Sequence, residues 1–280
     1  MSPPFDSVTL GILSWRAPET LRASLETYAR EELFSLFARV VIYFQEMSDA
    51  DRALAAEYGI EAHGSAANTG IFGGVEALAR IAETDHLLIL ENDCPLVESH
   101  ATAAAALASA LADMAALDLP VMRLRSRRDP GEKFTRLGKY VAHYRVRDPL
   151  PGADLPANPP AWRAWVRRLM RPGKARALKA SAIYAETHPD RRQPGAVARS
   201  ANGNWLTRSP FINWSNQSIL VRRAWLDEVI LERVRTHPSS RPLNGFQDIE
   251  RAVNGRWWRA LDVPVGVSEP GIFSHRRLDR

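Results

Sequence analysis

Two patterns of apolar residues alternate along the first 126 positions. Short continuous runs predict strands at 8–13 (VTLGIL), 40–44 (VVIYF), 60–63, 86–90 (HLLIL) and 121–126 (VMRLRS). Between them the apolar positions recur every three or four residues, as a helix requires. Leu21, Leu25 and Tyr28 follow Pro18, a residue suited to a first helical turn. Ser48 and Asp51 make a capping-box pattern ahead of RALAAEY. Val75, Leu78 and Ala82 share one face after NTGIFGG, and Ser99 precedes an alanine-rich helix over 100–117. Alternating strands and helices predict an α/β fold, a mostly parallel central sheet with helices on both faces. The strand runs are continuous rather than alternating, as strands covered on both sides should be.

The pattern breaks in the middle. Residues 148–160 (DPLPGADLPANPP) are too rich in proline for a helix or a central strand. After them Trp162, Trp165, Val166 and Leu169 fall at helical spacing, with Arg163, Arg167, Arg168 and Arg171 around them. Such a basic amphipathic helix suits an anionic membrane surface. A helix packed on the main domain with its arginines outward accounts for the same pattern. From Phe211 the compact pattern returns, with a strand at 216–221, a helix at 222–234, a turn and helix over GFQDIERAVNGRWW, and a last strand in VPVGV. The chain therefore divides into stretches 1–120, 121–210 and 211–280, read as one domain overall.

Composition narrows the class. At 280 residues with 45% hydrophobic and 25% charged, the chain is an ordinary globular protein rather than a disordered one. No run approaches the roughly 18 apolar residues of a membrane span. The start, MSPPFDSVTL, lacks the basic and apolar regions of a signal peptide. Cys94 is the only cysteine, so no internal disulfide forms. These features predict a cytoplasmic protein, with peripheral contact at the inner face of a membrane left open by the basic helix. The net charge of +5 conceals an asymmetry: residues 121–210 hold 20 Lys and Arg against 6 Asp and Glu, leaving 17 against 26 elsewhere. The local excess points to an anionic partner, whether phosphate, lipid headgroup or nucleic acid.

The chemistry begins where HLLIL runs into Glu91, Asn92 and Asp93. In open parallel sheets, ligands sit beyond the carboxyl ends of the strands. Carboxylates there are hard oxygen donors suited to Mg²⁺ or Mn²⁺, ions that commonly bridge to substrate phosphates. An Asn-Asp turn leading to the next helix explains the same triplet. Cys94 has no assignable histidine partner for nucleophilic work.

The ordered set of motifs resembles the GT-A fold of nucleotide-sugar glycosyltransferases, in particular family-two-like enzymes. It comprises the strand, turn and helix start LSWRAPETL, YFQEMSD after the second strand, the ANTGIFGG loop, LLILENDCPL, GFQDIERAV opening a late helix, and GIFSHRR near the end. LLILENDCPL is closest to the Glu-Asp-Asp form of the N-acetylglucosaminyltransferase I group. The resemblance covers most of the chain except the basic middle. It implies a nucleotide-sugar-binding half in 1–120, an acceptor- or membrane-facing region in 121–210, and an acceptor half with the catalytic base and a metal-binding tail in 211–280.

By the same resemblance, Asp93 and His275 are metal ligands for Mn²⁺ or Mg²⁺, and Asp248 is the general base of a single, inverting displacement. Ser14, Trp15, Arg16, Gln45, Glu46, Asn68, Gly70, Glu91 and Asn92 fall where nucleotide and donor sugar bind, with Glu46 placed for a uracil imide. Arg276 or Arg277 is placed for phosphate. Trp214, Asn216 and Gln217 in FINWSNQS suit an acceptor sugar, and an interior tryptophan beside a turn fits as well. Two departures stand out: Asn92 replaces an acid, and Gln247 replaces the Glu of Glu-Asp. These leave open an inactive GT-A-like binding module. The basic stretch 121–210 leaves open a nucleic-acid-binding protein, although that reading gives Glu91, Asp93 and Asp248 no task. No Gly-x-Gly-x-x-Gly turn supports a dinucleotide enzyme, and GILSWRAP lacks the glycine-rich loop of a sugar nucleotidyltransferase.

Overall fold

Ten residues, Phe5–Ser14, form the first strand, β1, of a computed structural model that describes residues 3–131 and 135–278. The outermost residues of 1–120 and 211–280, and positions 132–134 of the middle stretch, lie outside the described residues. α1 (Pro18–Arg30) leads to β2 (Phe37–Gln45), then α2 (Asp49–Glu57), β3 (Glu61–Ser65), α3 (Gly70–Ile81), β4 (His86–Glu91), α4 (His100–Ala116) and β5 (Val121–Arg123). The expected caps are present: Ser48 and Asp51 close a full capping box on α2, and the Ser99 hydroxyl accepts from Thr102 N at α4. Strand β5 is shorter than the 121–126 expected, because Leu124 N turns to Ser218 O and the Leu124 carbonyl takes Ile272 N.

The middle stretch holds α5 (Thr135–Tyr144), α6 (Ala161–Met170), α7 (Pro172–Leu178) and α8 (Pro189–Arg192), followed by β6 (Ala198–Arg199) and β7 (Trp205–Arg208). The proline-rich loop ahead of α6 forms neither helix nor strand, as expected. It is anchored by the buried Glu186 carboxylate, which accepts from Arg147 N, Asp148 N and Arg192 Nε. Next come β8 (Ile219–Arg222), α9 (Arg223–Trp225), a π-helical stretch Leu226–Leu231 and α10 (Glu232–Thr236). The chain then runs through α11 (Ile249–Val253), α12 (Arg256–Leu261) and β9 (Pro264–Val267).

All nine strands join one sheet in the order β3-β2-β1-β4-β8-β5-β9-β7-β6. β1 to β4 run parallel, and β8 and β7 are antiparallel to their neighbours. The mostly parallel, doubly covered sheet expected from the sequence is the one found. Successive residues of β4 serve opposite sides. Leu87 and Ile89 pack with residues of α3 and α11, while Leu88 and Leu90 pack with those of α1, α2 and α4. This parallel run brings the ends of β1, β2 and β4 to a single edge.

Helix α6 packs against α5 with Ala164 buried. It turns its apolar positions outward: Trp162 is 63%, Trp165 58%, Leu169 63% and Met170 72% exposed. Arg167 and Arg168 reach back instead, to the carbonyls of Ala142 and His143 in α5.

Candidate active site

A cavity of about 330 Å³ opens at the carboxyl edge. Its walls come from the ends of β1 (Leu13, Trp15), β2 (Gln45) and β4 (Glu91, Asn92, Asp93), from the approach to α3 (Asn68, Gly70), and from Asp248 and Arg277. Eight of the residues singled out from the sequence for donor, metal or catalysis therefore share one space.

Local structure explains each position. Asn92 N donates to Leu13 O at 3.0 Å, so the β1–β4 ladder continues one step and holds the acidic triplet at the rim. Ser24 Oγ donates to Asn92 O at 2.8 Å from α1. Gln45 is buried, and its Oε1 accepts from Thr69 N at 2.7 Å, tying the end of β2 to the loop before α3. Asn68 Oδ1 accepts from Gly70 N at 2.7 Å. Gly70 has φ +72° and packs directly on Phe246, so a side chain there would be both strained and obstructed.

His275 is docked rather than frayed. Arg276 N donates to Asp93 O at 2.8 Å, Ser274 N to Pro95 O at 2.9 Å, and Ser126 N to Phe273 O at 2.7 Å. The tail is thus wedged between the segment after β4 and the segment after β5. Gly131, at φ +76°, lies against the His275 main chain where any Cβ would collide.

Glu91, Asp93 and His275 each bring a ligand atom within 4.8 Å of the others, and His275 Nε2 is 3.2 Å from Asp93 Oδ2. Burial, followed by the charges of Asp93 and Glu250, holds the Glu91 carboxyl well above its usual range. The hydrogen bond to Asp93 outweighs burial and raises the His275 imidazole. His275 Nδ1, Asn92 Nδ2 and Arg277 Nε are buried without a hydrogen-bond partner. Two crowded carboxylates with one imidazole form an oxygen-rich donor set, which fits Mn²⁺ or Mg²⁺.

Ser14 is buried at the end of β1. Glu46 accepts from Trp15 Nε1 at 2.8 Å and pairs with Arg16 at 2.8 Å, so its carboxylate already has partners beside the cavity. Arg276 pairs with Asp129, whereas Arg277 lines the cavity. Asp248 caps α11, accepting from Glu250 N at 2.9 Å, and also lines the cavity. Trp214 is 3% exposed and packs against Trp258 and Trp225, with ring centroids at 5.8 and 6.1 Å. Asn216 Oδ1 is occupied by Trp214 Nε1 at 2.7 Å. Gln217 Oε1 accepts from Arg125 Nη1 at 3.0 Å.

Trp214 and Gln217 instead line a second cavity of about 420 Å³, with Arg123, Arg125, Arg136, Lys139, Lys174, Tyr184 and Glu250. Sequence reasoning registered these cations only as part of a charge excess. Leu243, Asn244 and Phe246, which line the first cavity, carried no chemical signal at all.

No family model and no curated protein matches the chain. Similar solved structures include Staphylococcus aureus TarS. Residues 1–349 of that protein give a TM-score of 0.48 at 11% identity, covering 96% of this chain and 60% of that one. A longer TarS structure gives 0.49 at 12%, covering 96% and 36%. The mannosyltransferase PcManGT of Pyrobaculum calidifontis, in complex with GDP-Man and Mn²⁺, gives 0.38 at 12%, covering 54% and 45%. The chain thus spans less than two thirds of the TarS structures. Likeness at this level concerns the arrangement of elements, and the chemistry has to be argued from the site.

Proposed function

We propose that the protein is a metal-dependent glycosyltransferase. It would move a sugar from a nucleoside diphosphate, UDP favoured, to a glycan or lipid-linked acceptor with inversion. The observation that supports this best is the clustering of Glu91, Asp93 and His275 within 4.8 Å beside a cavity that Asp248 also lines.

In this reading Asp93 and His275 hold Mn²⁺ or Mg²⁺, with Glu91 beside them. A divalent ion there supplies the Lewis acid that neutralises a leaving diphosphate. Arg277, its Nε lacking a protein partner, adds a charged donor for phosphate. The unpartnered Asn92 amide donates to a ribose or sugar oxygen, which gives the amide at this position a task of its own. Trp15, Gln45, Asn68 and Gly70 frame the nucleoside, with Ser14, Arg16 and Glu46 supporting Trp15 from behind. Asp248 accepts the proton of the acceptor hydroxyl, and a single displacement inverts the anomeric carbon.

Glu250 is a second candidate for the base. Burial, with the nearby Asp248 charge, raises its carboxyl above the usual range. A carboxyl raised toward working pH is a better general base. Glu250 also lines the second cavity.

Peripheral attachment belongs to the same proposal. Among the described residues no helix is long and apolar enough to cross a membrane. The outward Trp162, Trp165, Leu169 and Met170 of α6, with Arg163, Arg167 and Arg171 beside them, have the character of an interfacial helix on anionic lipid at the cytoplasmic face.

Thermal shift with a panel of nucleotide sugars, with and without Mn²⁺, tests the central reading. At a ligand concentration about one hundredfold above Kd, binding stabilises the fold by about 2.7 kcal/mol. A shift is expected for a uridine diphosphate sugar with metal, together with slow hydrolysis of that donor. Equal affinity without metal would overturn the metal assignment. Binding without turnover across acceptors would leave the inactive-module alternative standing.

A further inference from the structure

Among the described residues, positive charge outnumbers negative in the lining of the second cavity. Five cationic side chains, Arg123, Arg125, Arg136, Lys139 and Lys174, line it against one carboxylate, Glu250. They come from β5, from the loop after it, and from α5 and α7, so the convergence is tertiary. Arg123 is 7% exposed, and its guanidinium is held by the Asn213 carbonyl. Arg136 donates to the Ala177 carbonyl. Main-chain carbonyls fix these groups in place without cancelling their charge. Burial pushes Arg136 down to about 10 and holds Arg123 below its usual value, the nearby Glu250 charge offsetting only part of the desolvation cost. An anion between them relieves it through charge-assisted, bidentate hydrogen bonds.

Position says what that anion belongs to. Glu250 lies two residues from Asp248, which lines the first cavity, and Gln217 hydrogen-bonds toward Glu91 while accepting from Arg125. A ligand in the second cavity therefore ends beside the carboxylates proposed to take a proton. The volume, about 420 Å³, falls in the range of roughly 300–1,000 Å³ usual for small-molecule sites. The wall formed by Trp214 and Tyr184 is aromatic, and Ser215 and Asn213 add polar groups for hydroxyls.

We infer that the second cavity is the acceptor site and that it takes an acceptor bearing a phosphate ester next to the hydroxyl to be glycosylated. This rests on the transferase reading above. Arg123 and Arg136 grip the phosphoryl oxygens from the buried end. Lys139 and Lys174, both exposed, add longer-range attraction at the mouth.

Isothermal titration of the full chain with inorganic phosphate and with glycerol 3-phosphate tests the inference, in the presence of Mn²⁺ and UDP. The expected result is binding alongside UDP, weakened about tenfold or more in Arg136→Gln and in Arg123→Gln, the scale of one lost charge-assisted hydrogen bond. UDP affinity should be unchanged in both. Should either buried-site variant fail to fold, Lys139→Gln/Lys174→Gln, confined to exposed positions, is expected to weaken phosphate binding and steepen no salt dependence. Phosphate affinity that ignores all of these substitutions, or phosphate that merely competes with UDP, would overturn the site. Acetate binding as tightly as phosphate would overturn the phosphate specificity.

Vesicles containing phosphatidic acid distinguish the sources of the phosphate. Capture that is weakened by Arg136→Gln and blocked by glycerol 3-phosphate assigns a lipid phosphate, whereas binding of the soluble ester alone assigns a soluble one. Tight, steeply salt-dependent binding of a single-stranded oligonucleotide that displaces phosphate would replace the inference with nucleic-acid recognition. A wild-type protein that binds phosphate in this cavity but no nucleotide would overturn the transferase reading and the acceptor role with it, while leaving the anion site in place.

Discussion

The two cavities, one lined by Asp248 and the other by Glu250, have linings of opposite sign. One gathers Glu91, Asp93 and Asp248 with a single guanidinium, Arg277. The other gathers five cations around Glu250. Crowded like charges are costly wherever they are shielded from water, and a counterion would lower that cost in each cavity. A cation suits the first and an anion the second. The difference shows that a net charge of +5 says little about a protein whose charges are sorted into adjoining compartments. It also separates two arginine populations of the middle stretch: those turned into the second cavity, and those on α6 that flank an exposed apolar face.

Four measurements bear on this comparison, the first having the largest expected effect. Asp93→Ala should abolish metal-dependent nucleotide binding and transfer, a loss beyond the roughly 10–100-fold typical of changes merely adjacent to a metal ligand. Titration of Mn²⁺ in the presence of UDP would read it. Retention of metal-dependent binding would mean that the acidic cavity is not the cation site.

The second measurement compares Asp248→Asn with Glu250→Gln. Whichever carboxylate is the base should cost about 10²–10⁴-fold in kcat with little change in donor affinity. A base works deprotonated, so kcat falls as pH drops through its pKa. Burial raises Glu250, so if Glu250 is the base the acidic limb should lie above the ordinary carboxylate range and vanish in Glu250→Gln. The outcome decides whether the proton acceptor belongs to the acidic or the basic compartment.

The third concerns the outer arginines. Trp162→Ser/Trp165→Ser should lower affinity for anionic vesicles about tenfold or more by removing two interfacial anchors, with nucleotide binding unaffected. Flotation with liposomes reads it. Vesicle binding that survived this change and disappeared with the cations of the second cavity would merge the two populations. The smallest effect is at Cys94, fully buried among the apolar residues beneath α1 and α4. Burial raises its thiol well above the usual value. At neutral pH a thiol reagent should label it only as fast as the protein opens, measured against the urea-unfolded chain.

Much of the first cavity was legible beforehand, because its parts are local. A run such as LLIL must be a covered strand, and the polar residues that follow must emerge at its end. The same holds for Gln45 after VVIYF and for Asn68 before α3. His275 was legible only through an ordered resemblance, since nothing in GIFSHRR itself fixes the main-chain bonds to Asp93 and Pro95 that dock it. Trp214 shows the opposite case. Aromatic and amide neighbours suggested a sugar platform, and tertiary packing placed most of that ring between two other tryptophans.

The sequence by itself determined the succession of strands and helices, the caps of α2 and α4, the acidic triplet at the end of β4 and the excess of positive charge in the middle. Those follow from periodicity and from side-chain chemistry within a few residues. Only the tertiary structure decided that Arg123, Arg136, Lys174 and Glu250 share one cavity, that α6 faces its tryptophans outward, and that His275 meets Asp93. The period of a segment records which of its faces is buried. Which distant segment that face meets is set by the packing of the whole chain, and no local pattern records it.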